Sequence, residues 1–346
     1  MKAAFLTGKQ QFELREIPAP LPPEDGLVLQ VQACGVCGSD LRRWKEGLPA
    51  GGEPVIPGHE IAGVVMAVGS RLTGYAPGDR LAVAPDVHCG RCYYCRRGLY
   101  NLCDDLHFLG ISPGCAGGFS QQMVLNAEIL ANGIVHPMPQ EMTFSQAALA
   151  EPCSSVLACH EKINTRLGDT LLVMGGGPIG VLHIAVAQAR GARVILSEPS
   201  PVRRAMAQPF HPAAIIDPSQ ENVAERIRQL TMGLGVDAVI CANPVAATHT
   251  QAVEVVRKGG KVVLFGGLPK ASPLTALDAN RIHYGEIDVL GSFSYHPAFH
   301  EMALKVIGQG GIPAAQVITH TFPLAEIAAA FEAAASGEAL KVMVTA

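Results

Sequence analysis

The sequence predicts an α/β protein that combines a small β-barrel with a doubly wound parallel sheet. Three observations support this class: a length of 346 residues, a change of hydrophobic rhythm near Glu151, and a glycine-rich turn behind an apolar strand. This length accommodates two domains with complete cores, at roughly 100–200 residues per domain. We expect the first domain to cover residues 1–152, the second 153–291, and a final segment, 292–346, to return to the first.

Short apolar runs separated by glycine and proline make up the first part of the chain. Leu27–Ala33 and Ile61–Val68 alternate over the length of a strand. Turn-forming residues cluster between such runs, at positions 18–26, 50–57 and 76–79. This rhythm predicts the small β-barrel, because each short strand buries one face.

Apolar strands alternate with helix-like stretches after Glu151. The predicted strands are Thr170–Met174, Arg193–Leu196, Ala214–Ile216, Ala238–Ile240, Val262–Phe265 and Ile287–Leu290. Such alternation is typical of a parallel sheet covered by helices. We expect Pro209 to end the second helix of this part early, since proline lacks a backbone donor and disfavours helical geometry before it.

Charge and targeting signals exclude several classes of partner. The formal net charge is -4 and no basic run occurs, so we expect no nucleic acid and no anionic membrane surface as partner. Leu171–Ala189 has the length of a membrane span, but its three consecutive glycines and a proline favour a strand, a turn and a buried helix. Met1–Gly8 lacks the features of a signal peptide. We therefore expect a cytoplasmic protein with reduced thiols and no membrane partner.

Four closely spaced cysteines predict a structural zinc lobe over residues 89–103. The spacing between them is two, two and seven residues, and the four are Cys89, Cys92, Cys95 and Cys103. Four thiolates from one short loop complete a tetrahedral zinc shell and leave no position for a substrate. A pair of disulfides is the alternative, disfavoured because the chain does not otherwise resemble a small secreted scaffold.

A second, open metal site has its candidates elsewhere in the first part. Cys37 and His59 offer one thiolate and one imidazole, which leaves room for a carboxylate and an exchangeable water or alcohol. Glu60 and Glu151 are both available as the carboxylate. Whether one or both contact the metal stays open.

Gly175, Gly177 and Gly180 form a G-x-G-x-x-G pattern between an apolar strand and a helix that opens at Pro178. In this context the pattern indicates a dinucleotide whose pyrophosphate lies at the helix N-terminus. Glu198, at the end of the next strand, is placed to accept hydrogen bonds from the adenosine ribose. NAD is therefore favoured over NADP, although the nearby Arg203 and Arg204 could pair with a 2′-phosphate.

Together these motifs resemble the zinc-dependent medium-chain dehydrogenase/reductase superfamily, within it the polyol (sorbitol) dehydrogenase-like branch. The resemblance covers essentially the whole chain. Gly58-His59-Glu60, followed by Gly63 and Gly69, is similar to the family's zinc signature, and the cysteine lobe to its structural zinc loop. The resemblance implies a GroES-like β-barrel catalytic domain and a Rossmann NAD-binding domain.

Glu151-Pro152 is similar to the polyol and threonine branches, whereas classical alcohol dehydrogenases place a cysteine ligand there. The resemblance implies two Zn²⁺ ions per chain and an NAD-linked dehydrogenase that oxidises a secondary alcohol, a polyol or sugar alcohol, to the ketone. It further implies a homodimer or homotetramer. A threonine-type amino-alcohol dehydrogenase and a non-catalytic sensor of NAD or zinc stay open as alternatives.

The resemblance also implies roles for individual residues. Ser39 is expected to be the first proton relay, and Asp40 to orient the zinc shell. The expected catalytic set is Cys37, Ser39, His59, Glu60 and Glu151. The expected cofactor-binding set is Gly175, Gly177, Pro178, Ile179, Gly180, Glu198, Arg203, Phe265, Gly266, Phe293 and Ser294.

Overall fold

The structure, a computed structural model, describes residues 1–49 and 51–346. Ala50, at the start of the predicted turn 50–57, lies outside the described residues. The chain forms two compact units, one of residues 1–154 with 295–346 and the other of residues 155–294. The divisions expected from the sequence lay after residues 152 and 291.

The first unit is built mainly from strands. Its N-terminal part contains β1 (Lys2–Gly8), β2 (Gln11–Glu16), β3 (Leu27–Gly35), α1 (Gly38–Glu46), β4 (Glu60–Val68), β5 (Arg80–Ala84), β6 (Asp86–Val87), β7 (His107–Phe108), β8 (Gln122–Leu125), α2 (Ala127–Asn132), β9 (Ile134–Pro137) and α3 (Phe144–Ala148). Helix α4 (Ala150–Ile163) then runs across the division between the units.

The second unit follows the predicted alternation of strands and helices. It contains β10 (Thr170–Met174), α5 (Pro178–Ala189), β11 (Arg193–Ser197), α6 (Pro201–Ala207), β12 (Ala214–Ile216), α7 (Val223–Leu230), β13 (Val236–Cys241), α8 (Ala246–Val255), β14 (Val256–Leu264), α9 (Ala279–Gly285) and β15 (Asp288–Gly291). All six strands are parallel, in the order β12-β11-β10-β13-β14-β15. This is the doubly wound order in which a dinucleotide binds at the switch point beside the first strand.

The last segment completes the first unit. It contains α10 (Pro297–Gly308), α11 (Ala314–Val317), β16 (Ile318–Pro323), α12 (Ile327–Ser336) and β17 (Lys341–Thr345). The main sheet of the unit has seven strands, in the order β16-β17-β3-β4-β5-β9, with β8 paired to β3. Strand β17 pairs antiparallel with the end of β3, so that Met343 lies opposite Gly35. The C-terminal strand therefore lies next to the loop that carries Cys37.

Phe331, on α12, is the centre of the aromatic core of the first unit. Its ring lies 4.7 Å from that of Phe12, 5.8 Å from Trp44 and 5.6 Å from Phe119, measured between ring centroids. Phe119 is fully buried and Trp44 is 6 % exposed. Burial of rings of this size contributes much of the apolar stabilisation of a domain.

The apolar stretch Leu171–Ala189 forms most of β10, the glycine turn and α5. Its helix spans 12 residues from Pro178 to Ala189. Among the described residues, no helix combines the length and the hydropathy that crossing a bilayer requires.

Candidate functional site

The four cysteines of the lobe converge in the structure. Their sulfur atoms all lie within 4.8 Å of one another, and all four are free thiols: Cys89, Cys92, Cys95 and Cys103. Zinc–thiolate bonds of about 2.3 Å place tetrahedral sulfurs roughly 3.8 Å apart, so the cluster fits a zinc ion.

Backbone amides point at the sulfurs of this cluster. The amides of Cys89 and Asp105 both donate to Sγ of Cys103 at 3.3 Å, and the amide of Cys95 donates to Sγ of Cys92 at 3.4 Å. Hydrogen bonds from the backbone amides of Cys95 and Asp104 lower the pKa of the Cys92 thiol to about 6. Such donors favour the thiolate, which is the form that binds metal.

The second group brings together Cys37, His59 and Glu60. One ligand atom from each lies within 4.8 Å of the other two. Cys37 directly precedes α1, while His59 and Glu60 stand at the start of β4. A thiolate, an imidazole and a carboxylate form a zinc donor set with one position left for a further ligand, and three convergent donors of this kind fit the metal.

Asp40 and Ser39, in the first turn of α1, hold the two sides of the His59 ring. Asp40 accepts a hydrogen bond from the Cys37 amide at 3.1 Å, and its other oxygen lies 3.4 Å from Nδ1 of His59. Oγ of Ser39 lies 3.4 Å from Nε2 of His59. Burial alone would lower the pKa of His59, but Asp40 and Cys37 outweigh it and raise this pKa well above its usual value.

Glu60 is fully buried and forms an ion pair with Lys341 of β17. The ammonium donates to the two carboxylate oxygens at 2.6 and 2.9 Å. A Cβ atom on Gly35 would stand 1.8 Å from Oε2 of Glu60, so only glycine leaves room for this carboxylate. The strand pairing of β3 with β4 places Gly35 opposite Glu60.

Glu151, the other candidate carboxylate, has a different partner. Its Oε1 accepts a hydrogen bond from the hydroxyl of Tyr295 at 3.0 Å, and its oxygens do not belong to the close group of Cys37, His59 and Glu60. Burial, and then the charge of Glu60, raises the pKa of Glu151 to about 7. The structure thus groups Glu60 with the thiolate and imidazole, and leaves the ligand role of Glu151 a prediction.

The glycine turn joins β10 to α5 as the sequence indicated. Gly175 adopts a φ of 111°, and a Cβ atom on Gly180 would stand 1.9 Å from the carbonyl oxygen of Gly175. Helix α5 begins at Pro178, with Gly177 as its N-cap and Ile179 in its first turn. A helix N-terminus that follows a glycine turn of this kind is where an anion binds.

Glu198 lies beside this turn, at the end of β11. Its Oε2 accepts from the amide of Gly176 at 2.6 Å and its Oε1 from the amide of Ser200 at 2.8 Å. The carboxylate is 2 % exposed, and each oxygen retains a lone pair for a ribose hydroxyl.

Of the two arginines that follow, only Arg203 lies at the glycine turn. A Cβ atom on Gly177 would be 4.0 Å from an Nη atom of Arg203. Arg204 instead pairs with Asp217 at 2.9 Å and donates to the carbonyl oxygens of Glu198 and Pro199.

Four further predicted cofactor residues occupy the ends of the last two strands of the second unit. Phe265 directly follows β14 and lies edge-on against the ring of His183, at 4.5 Å between centroids. The amide of Gly266 donates to the carbonyl oxygen of Cys241 at 2.9 Å. Phe293, 59 % exposed, and Ser294, with a φ of 49°, follow β15. Their cofactor contacts stay a prediction.

Sequence reasoning missed Lys341 and the hydroxyl of Tyr295 as partners of the two carboxylates. The signal for Lys341 was a charged residue at the start of a mostly apolar strand, since a buried lysine is rare without a partner.

Comparison with known proteins matches both halves of the chain. Residues 23–139 match the alcohol dehydrogenase GroES-like domain, and residues 178–308 match the zinc-binding dehydrogenase domain. Sorbitol dehydrogenase of Bacillus subtilis (strain 168) is 33 % identical over 354 aligned positions, covering 99 % of this chain and 97 % of the relative.

Two solved structures share the fold and differ in their cofactor. A zinc-binding dehydrogenase of Sinorhizobium meliloti 1021, bound to NADP, has a TM-score of 0.90 at 31 % identity, covering 100 % of this chain and 99 % of the other. An alcohol dehydrogenase of Escherichia coli CFT073, complexed with NADH, has a TM-score of 0.89 at 26 % identity, with the same coverage. The chain has a GroES-like unit, a six-stranded Rossmann sheet, a four-cysteine structural zinc cluster and a catalytic group of Cys37, His59 and Glu60. It belongs to the zinc-containing medium-chain alcohol dehydrogenases, oxidoreductases that act on CH–OH groups.

Proposed function

We propose that this enzyme oxidises a secondary alcohol of a polyol or sugar alcohol to the ketone, with NAD as hydride acceptor. The observation that carries the proposal is the open donor set of Cys37, His59 and Glu60 with the Ser39 hydroxyl beside it. A purely structural zinc site has no need of a free position next to a hydroxyl. The similarity to a sorbitol dehydrogenase supports the polyol class.

The chemistry divides between the bound groups and the chain. Zinc, when bound, supplies a Lewis acid that lowers the pKa of the substrate hydroxyl, and the nicotinamide takes up the hydride. Ser39 accepts the hydroxyl proton and passes it toward solvent, since its Oγ is the hydroxyl that stands beside the His59 ring. Asp40 fixes the orientation of His59 through Nδ1, as carboxylates behind metal-bound histidines do.

The two carboxylates near the site have different tasks in this proposal. Glu60 completes the donor set, and its ion pair with Lys341 limits the negative charge that it brings to the metal. Glu151, held by Tyr295, would be either a further zinc ligand or the carboxylate that exchanges with Glu60 when the ion is bound. Two zinc ions per chain, and a homodimer or homotetramer, complete the proposal.

Cofactor choice rests on Glu198. Its carboxylate lies beside the glycine turn, where it would accept the ribose hydroxyls of NAD and repel the 2′-phosphate of NADP. Arg203, the cation at the same turn, is the group that would favour NADP instead.

A substrate panel tests the function directly. Purified enzyme is given neutral polyols, amino alcohols including threonine, and simple secondary alcohols, and reduction of NAD or NADP is followed by absorbance. We expect polyols to give the highest kcat/KM with NAD, and Cys37→Ser to abolish turnover. Highest activity with threonine would establish the amino-alcohol alternative. No turnover with any alcohol in zinc-loaded protein would support a non-catalytic sensor.

A further inference from the structure

An ion pair of Asp217 and Arg204 lies beside Glu198, at the carboxyl ends of two neighbouring strands of the second unit. Strand β12 pairs with β11 so that Ile216 lies opposite Ser197. The residues that directly follow, Asp217 and Glu198, therefore leave the sheet side by side, since parallel strands lie roughly 4.8 Å apart. The sheet thus puts a second acidic residue next to the one expected to bind the adenosine ribose.

Arg204 joins the two strand ends. Its Nη2 lies 2.9 Å from Oδ2 of Asp217. Its Nη1 donates to the carbonyl oxygen of Glu198 at 3.0 Å and to that of Pro199 at 2.6 Å. The guanidinium therefore lies against the backbone of Glu198, and its charge is paired with Asp217.

Asp217 is also held from its other side. Its Oδ1 accepts hydrogen bonds from the hydroxyl of Ser219 at 2.6 Å and from the amide of Ser219 at 3.0 Å. These hydrogen bonds, and then the charge of Arg204, hold the pKa of Asp217 below its usual value. Asp217 is therefore a carboxylate at neutral pH, with one oxygen bound to Ser219 and the other to Arg204.

Four charged groups belong to the strand end and the helix beside the expected ribose: Glu198, Asp217, Arg203 and Arg204. The ion pair cancels one charge of each sign, which leaves Glu198 and Arg203 to act on the ribose. Without the carboxylate of Asp217 the same four positions would carry a net positive charge. The guanidinium beside Glu198 would then be available to a phosphate, which guanidinium groups bind well.

We propose that Asp217 is a positioning residue for cofactor choice, which neutralises Arg204 and holds it away from a 2′-phosphate. The enzyme then discriminates against NADP although an arginine lies against the backbone of Glu198. The inference rests on the proposed use of NAD and deepens it, since it assigns part of the selection to the residue that follows β12. If the ion pair were only a brace between two strand ends, its loss would affect NAD and NADP alike.

The test measures the binding of two nucleotides that differ only in a 2′-phosphate, 5′-AMP and adenosine 2′,5′-bisphosphate, to the zinc-loaded protein by titration calorimetry. The selectivity is the Kd of the bisphosphate divided by that of 5′-AMP, and we expect it to exceed about tenfold in the wild type. Asp217→Asn should lower the selectivity about tenfold, because the charge of Arg204 is then unpaired. Arg204→Gln should raise it, because the charge of Asp217 is then unpaired. The double variant, which restores the charge balance, should return close to the wild-type value.

Glu161→Gln is the matched control. Glu161 forms an ion pair with Arg190 at 2.8 Å in the same unit, near the C-terminal ends of α4 and α5. The substitution removes the same charge as Asp217→Asn and should leave the selectivity unchanged. The change caused by Asp217→Asn should shrink as the salt concentration rises, since it is electrostatic.

The outcomes separate the inference from the function on which it rests. An unchanged selectivity in Asp217→Asn, or an equal loss of affinity for both nucleotides, overturns the inference and leaves the use of NAD intact. If Asp217→Asn does not fold, Arg204→Gln decides, and a selectivity at or below the wild-type value overturns the inference as well. A wild type that binds the bisphosphate more tightly than 5′-AMP would show that the proposed choice of NAD is wrong, and the inference would fall with it.

Discussion

Lys341 lies in the last strand and donates to both carboxylate oxygens of Glu60, which stands 281 residues earlier in the chain. The side chains of both are almost completely buried, at 3 % and 0 % exposure. A third hydrogen bond joins the ammonium to the carbonyl oxygen of Val36 at 3.2 Å. Burial alone would lower the pKa of Lys341, but Glu60 outweighs it and raises this pKa.

Replacement of Lys341 by methionine should destabilise the first unit by about 3–5 kcal/mol, because it leaves the buried charge of Glu60 without a partner. Urea unfolding of the metal-free protein measures the loss. The double variant Lys341→Met/Glu60→Gln should recover much of the stability, since no buried charge is then left unpaired. A single variant as stable as the wild type would show that the ion pair contributes nothing.

Elemental analysis should find about two zinc ions per chain. Cys37→Ser should remove one ion and nearly all turnover without unfolding the protein. Cys95→Ser should remove the other ion and destabilise the lobe, because metal binding there is coupled to local folding. Wild-type activity in Cys37→Ser would contradict the catalytic assignment.

Glu151→Ala should lower turnover about a hundredfold while catalytic zinc stays bound, by analogy with other residues that support a metal shell. Tyr295→Phe removes only the hydroxyl that donates to Glu151, so we expect a smaller loss in the same direction. Steady-state kinetics and zinc content are measured together. An unchanged rate in Glu151→Ala at full zinc occupancy would leave the carboxylate role to Glu60 alone.

The wild type should prefer NAD to NADP by more than about tenfold in kcat/KM, since a carboxylate at the ribose repels a phosphate of like charge. Glu198→Ser should lower this preference, with Arg203 then able to pair with the phosphate. The variant also loses the acceptors of the Gly176 and Ser200 amides, so its affinity for NAD should fall. A wild type that prefers NADP would show that Arg203, not Glu198, controls the choice.

Buried histidines should make the protein less stable in mild acid. Burial lowers the pKa of His160 to about 3, and likewise that of His300. These histidines are neutral in the folded protein, whereas in the unfolded chain they take up a proton with a pKa near 6.5. The stability of the folded protein is therefore complete above about pH 6.5 and is lost as the pH falls from there toward 3. The loss amounts to up to roughly 1.4 kcal/mol per pH unit for each histidine.

Urea unfolding at pH 7, 6 and 5 measures this slope. His160→Gln should reduce the dependence of unfolding free energy on pH by the equivalent of about one bound proton. It should also lower the stability at pH 7, because Thr165 and His183 lose a hydrogen-bond partner. His283→Gln, at an exposed position of α9, is the matched control for the loss of a histidine elsewhere in the second unit. Equal slopes in both variants would mean that His160 is protonated in the folded state.

Local patterns predicted the fold closely, and long-range contacts limited the prediction of the site. The predicted strand Thr170–Met174 has the observed bounds, and α5 begins at Pro178 as expected, since apolar periodicity and proline act locally. Strand β14 begins at Val256, six residues before the predicted start, because its polar first half has no strand pattern. It ends at Leu264, so the prediction that Phe265 belongs to the strand was wrong.

Spacing within one loop was enough to predict the four-cysteine group. The second group, with Cys37 before α1 and His59 before β4, was predicted from the chemistry of its residue types and from the resemblance. The sequence could not predict which carboxylate joins Cys37 and His59, because Lys341 and Tyr295 reach the two candidates from the far end of the sequence. Both contacts arise from strand pairing and packing that no local pattern encodes. The buried position of Trp44 likewise depends on Phe331, more than 280 residues later.

Because β17 belongs to the first unit, that unit can be completed only after the second unit has been synthesised. Val36, beside Cys37, and Lys341 are 305 residues apart. A ribosome that adds about 5–20 residues per second therefore makes Lys341 roughly 15–60 s after Val36. By the end of this interval the second unit has all of its strands, while the first still lacks β17 and the counter-charge of Glu60. Until Lys341 has been made, the nascent first unit therefore carries Glu60 without the counter-charge that it has in the folded protein.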